Sequence, residues 1–189
     1  MHYPCVVAVL LANQIHKVSE VLFLKHLDWH QQWLALNAKG SLVTYQKTSA
    51  QEVLQQGLAQ QKFEHNDAVV SCTESQALIL NYYRNNIVHL FVLPSLVCHS
   101  IDSLISEQID LTLQNIDKHS QDALSVVQQS YFLNSENDPS EVMTETINKL
   151  VKLDILTVHN EVYQVLDETL FMLLKGHLDN PFDKPTLAN

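Results

Sequence analysis

A chain of 189 residues with 46% apolar side chains is long enough to bury a core without a disulfide or a metal, and too apolar for intrinsic disorder. Its 11 Lys and Arg against 21 Asp and Glu leave a net charge of -10, which argues against phosphate neutralisation on nucleic acid and against charge-driven adsorption to anionic lipid. The three glycines, Gly40, Gly57 and Gly176, form no cluster of the kind a nucleotide-cradling turn needs, and no cofactor is expected.

A first core helix is predicted from Pro4 to Gln14. The apolar run Cys5 to Ala12 inside it has no preceding Lys or Arg and no small-residue cleavage pattern after it, so it reads as a core helix and not as a signal peptide. A second helix starts at Ser19, carries Val21, Leu22, Leu24, Leu27, Trp33 and Leu34 as its stripe, and ends at Gly40-Ser41. Leu42 to Lys47 reads as an irregular or extended connection. Cys5, Cys72 and Cys98 are odd in number and set among apolar neighbours, as expected of reduced, buried thiols in a cytoplasmic compartment.

Next comes a unit that recurs. Ser49-Ala50-Gln51-Glu52 is a capping box, because the serine can accept from a first-turn amide while the glutamate reaches back. Val53, Leu54 and Leu58 stripe the helix it opens. Lys62 to Val70 then reads as a strand, an Asn66-Asp67 turn and a second strand. The second copy opens with Asp138 as cap and Pro139 in the first helical position. Its stripe is Val142, Ile147, Leu150 and Val151, and Ile155 to Val165 reads as its hairpin.

Between the copies, Glu74 to Leu133 is predominantly helical, and Asn134 to Pro139 is the clearest loop. A last helix through Leu170, Phe171, Leu173 and Leu174 closes near Gly176. The fold expected is mainly α, a helical bundle with two small β-hairpins in winged-helix-like units. Its expected organisation is residues 1–74, 75–178 and a frayed tail at 179–189. The longest hydrophobic stretch, Ile87 to Cys98, is too short to span a bilayer.

One segment stands apart. Taken as a helix, Asn81, Asn85 and His89 fall at i, i+4 and i+8 with Arg84 beside them, a polar stripe on a helix otherwise apolar nearly all round and so expected to be buried. A buried arginine needs a carboxylate, a phosphate or several carbonyls. The stripe therefore reads either as an internal network or docking face, or as a contact to a phosphate-bearing substrate.

The run Tyr82 to Leu96, YYRNNIVHLFVLPSL, closely resembles the block downstream of the catalytic domain in glycerol-3-phosphate acyltransferases, the bacterial membrane-associated enzymes above all. Ala50 to Leu54, Lys62 to Glu64, Ser130 to Leu133, Pro139 to Val165 and Tyr3 to Ala8 resemble the regions around that block. The resemblance implies a C-terminal accessory region and assigns Tyr83, Arg84, Asn85, Asn86 and His89 to domain docking or to the substrate groove. It further implies a catalytic acyltransferase domain as partner, on the same or a separate chain. Acyl-CoA or acyl-carrier protein is met only through the full enzyme, at the cytoplasmic face of the inner membrane, and the isolated chain is expected to be soluble. The family's catalytic signature is a histidine followed after four residues by an aspartate, a base and the group that orients it. None of the ten histidines here has an aspartate five positions later. The isolated chain is expected to be inactive, and Met1 to be an imposed boundary or a truncated gene start.

His26 and His30 stand at i and i+4, a spacing that can bind zinc, but Leu27 occupies the place of a metalloprotease glutamate and no third ligand is evident. A solvated helix face is the expectation there. No Gly-x-Ser-x-Gly turn is present. A nucleic-acid-binding winged-helix module and a stand-alone adaptor for another protein are the competing readings, the first opposed by the acidic balance.

Overall fold

Ten residues without a charge form α1 (Tyr3–Ala12), and Val7 through Leu11 are each no more than 2% exposed. A helix apolar on every side belongs inside a bundle, and α1 is the centre of the first of two compact units. The computed structural model describes residues 3–12, 17–37, 48–131 and 138–178. Around α1 pack α2 (Glu20–Asn37), α3 (Ala50–Ala59) and, most extensively, α4 (Glu74–Asn85). Ser49 and Glu52 make both bonds of the predicted capping box, the Glu52 amide donating to Ser49 Oγ at 3.2 Å and the Ser49 amide to Glu52 Oε2 at 2.9 Å.

The first hairpin, β2 (Glu64–Asn66) and β3 (Val69–Ser71), gains a strand that periodicity did not reveal. β1 (Lys17–Ser19) pairs antiparallel with β3, giving the order β1-β3-β2 with Val18 opposite Val70. A three-residue strand with one apolar side chain carries too little alternation to be read from sequence. α2 accordingly begins at Glu20. Glu20 Oε2 lies 2.8 Å from His65 Nε2 on β2, and the Glu20 amide donates to the Ala68 carbonyl.

The second unit, His89–Leu178, is organised about α5 (Val92–Ser106). α6 (Leu113–Tyr131), α7 (Pro139–Lys152) and α8 (Glu168–Lys175) all pack on it. β4 (Leu156–His159) and β5 (Val162–Val165) form its hairpin, and Thr112 bridges to Val162 in the place a third strand would take. Asp138 accepts from the Ser140 amide at 2.8 Å with Pro139 in the first turn, as the sequence predicts. Ser95 Oγ donates to the Lys175 carbonyl at 2.9 Å and Lys175 pairs with Asp102, which ties α8 to α5.

The two units repeat one topology: helix, strand or bridge, two helices, hairpin, helix. α1 meets α2, α3 and α4 as α5 meets α6, α7 and α8. The register is constant through the shared part. Ser19 opposite Val69 corresponds to Thr112 opposite Val162, each 93 residues on. Gln61 and Asp154, with φ of 54° and 56°, end α3 and α7 in the same left-handed turn. The division between units falls after Val88, so α4, grouped from sequence with the helical lobe beginning at residue 75, packs on α1 within the first unit. The predicted ends at Gln14, Gly40-Ser41 and Leu133, the connection Leu42 to Lys47, most of the loop before Asp138 and the tail lie outside the described residues.

Both hairpins turn on two residues with positive φ, Asp67 (51°) and Ala68 (59°) in one, Asn160 (50°) and Glu161 (65°) in the other. This is the turn whose twist matches the flanking strands. Asn66, predicted as a turn residue, is the last residue of β2, so the turn sits one position later than expected. Ala68 carries the steric cost of the left-handed region without a side-chain bond to offset it. Ala68→Gly is expected to stabilise the chain by about 0.5–1 kcal/mol, read as a raised midpoint in urea with an unchanged slope.

Candidate functional site

α4 opens with a second capping box, the Thr73 amide donating to Gln76 Oε1 at 2.8 Å and the Gln76 amide to Thr73 Oγ1 at 3.3 Å. From that start Ala77, Leu80 and Arg84 fall on one face and are buried. The expectation of a fully buried helix is corrected on its other side, where Leu78, Ile79 and Tyr82 are 56%, 49% and 71% exposed. Helical spacing places these three together on one exposed strip. Asn81 is half-buried, and its Oδ1 is sequestered from solvent without a donor.

The helix stops at Asn85. The amides of Asn86 and Ile87 turn to the carbonyls of Tyr83 and Arg84, Val88–Leu90 forms a 3-10 turn, and α5 restarts at Val92. Pro94 accounts for the restart: deep in a continuous helix it would clash with the carbonyl of Leu90, whereas in the first turn of α5 it costs no bond. The predicted i, i+4, i+8 stripe is therefore broken, because His89 is not on α4 and belongs to the second unit. The remaining residues diverge as well. Arg84 is buried while Asn85 and Asn86 are exposed. Tyr83 is half-buried, with Lys62 Nζ 5.2 Å from its ring centre and the Tyr82 ring 5.8 Å away, edge to face. Partial desolvation holds the exposed His89 imidazole below its ordinary pKa.

His26 and His30 do not form a solvated face, which corrects the sequence reading. They are 3% and 0% exposed. His30 Nδ1 lies 2.7 Å from the His26 carbonyl, and the Trp29 ring stands edge-on at 5.0 Å. Burial depresses the His30 pKa to about 3, so the ring is neutral and Nδ1–H is the donor. No group of three metal-ligating side chains exists among the described residues. Cys72 is half-buried and Cys98 buried, burial raising the pKa of each thiol, while the side chain of Cys5 lies outside the description.

A groove without a signal in the sequence lies in the second unit between α6, α7 and the β4-β5 hairpin. It holds about 740 Å³ and is lined in part by Thr112, Asp117, Ser140, Thr144, Glu161 and Tyr163. The Tyr163 amide donates to the Leu111 carbonyl at 2.8 Å, which with the Thr112 bridge fixes the hairpin against the start of α6. Asp117 Oδ2 accepts from Gln121 Nε2 at 2.9 Å and from Ser140 Oγ at 3.0 Å. Its Oδ1 is buried and has no donor. Along α7 the surface continues through Glu141 and Glu145, the latter paired with Lys149 at 2.8 Å.

Compared with known families, residues 4–184 match the glycerol-3-phosphate acyltransferase C-terminal region. The chain belongs to that family. A glycerol-3-phosphate acyltransferase of Shewanella sp. (strain ANA-3) is 27% identical over 170 residues, covering 88% of this chain and 20% of the relative. That of Shewanella oneidensis is 33% identical over 93 residues, 47% of this chain and 12% of the relative. The chain thus spans about a fifth of the length of the relatives it matches. Its role is related to glycerol-3-phosphate acyltransferase, and the helix–hairpin units are part of the family's C-terminal region. Among the described residues no helix is long and apolar enough to cross a membrane.

Proposed function

We propose that the chain is the accessory region of an enzyme that transfers a fatty acyl group from acyl-CoA or acyl-carrier protein to the sn-1 hydroxyl of glycerol 3-phosphate, at the cytoplasmic face of the inner membrane. It braces the catalytic part, which supplies the histidine base and its orienting aspartate. The observation that carries the reading is the exposed strip of Leu78, Ile79 and Tyr82 on α4, running into the Tyr82–Leu96 block. A strip of large apolar side chains beside polar Asn85 and Asn86 has the composition of an interface core with its rim. The occupant is the catalytic part, since the relatives carry about four-fifths of their length beyond the matched region. In this reading Tyr83, Asn85, Asn86 and His89 meet that partner or its substrate groove, and the buried Arg84 holds the end of α4 in place for them.

Acyl transfer from acyl-CoA to labelled glycerol 3-phosphate tests it. The chain alone is expected to be inactive. Mixed with the separately produced catalytic part of a Shewanella relative, it is expected to raise that part's activity about tenfold, and Tyr82→Asp to remove most of the gain. Tyr82 is exposed, so its substitution should leave the melting temperature unchanged. Turnover by the chain alone, or a mixture no faster than the catalytic part, would sink the proposal.

A further inference from the structure

We draw no further inference here: the strongest candidate, the exposed apolar surface at α8 of the second unit, made by Leu166 and by Met172 at the register of the equally exposed Ile79 on α4, carries nothing, because nothing in the structure shows what covers it.

Discussion

Gly57→Ala is expected to lower the unfolding free energy by about 2–3 kcal/mol, at the upper end of what one added methyl costs in a packed core. A Cβ built at Gly57 meets the Phe63 ring at 2.2 Å, far inside the contact distance of two non-bonded carbons. The ring has little room to retreat, being 2% exposed and set edge-on to Phe23 with centroids 5.5 Å apart. Its backbone is held too, since the Lys62 amide donates to the Gly57 carbonyl at 2.9 Å in the turn that ends α3. The second unit shows the other solution to the same packing. At the matching register it carries Leu150 and Leu156, both buried, where the first unit has Gly57 and Phe63. A large ring over a bare backbone is exchanged for two residues of middle size. Phe63→Leu should therefore cost stability in the parent chain but much less in the Gly57→Ala background. A double-mutant cycle in urea measures the difference, and additive losses would show that the clash is relieved elsewhere.

Much of the repeated unit was legible because its signals are local. Ser49-to-Glu52, Asp138-Pro139 and the apolar stripe after each cap act within one or two helical turns, so sequence order is enough to place α3 and α7. The third strand was not legible, since β1 exists only through pairing with β3, across some fifty residues of chain. For the candidate site the outcome was mixed. The block Tyr82–Leu96 was recognisable as a string of residues, but its break into α4, a 3-10 turn and α5 depends on where Pro94 can be accommodated. Spacing counted along an assumed continuous helix therefore joined Asn85 to His89 wrongly. The groove beside Asp117 gave no signal at all, since it exists only where the β4-β5 hairpin packs against α6 and α7. The histidine pair failed for a related reason. Residues at i and i+4 share a face, but whether the face meets water or a neighbouring helix is decided by tertiary packing.

That packing lets acid act on this chain through His30. Its folded pKa of about 3 lies below the ordinary 6.5, because burial disfavours the charged ring. Between those values the unfolded chain binds a proton that the folded chain does not. Stability therefore rises with pH in this window, is complete above about 6.5, and declines as the pH falls toward 3. The slope from one such group is about 1.4 kcal/mol per pH unit, so a drop from pH 7 to pH 5 should remove about 2 kcal/mol through His30 alone. Carboxylates contribute little until lower pH, which makes the interval from 7 to 5 the informative one. His30→Gln keeps a side-chain amide that can donate to the His26 carbonyl, while removing the titration. Urea unfolding at pH 7 and at pH 5 should show the variant losing about 2 kcal/mol less than the parent between the two conditions, even if it is the less stable at pH 7. Equal losses in parent and variant would mean that His30 opens to water at little cost, and that the α2 face it shares with His26 is not the closed interior the structure shows.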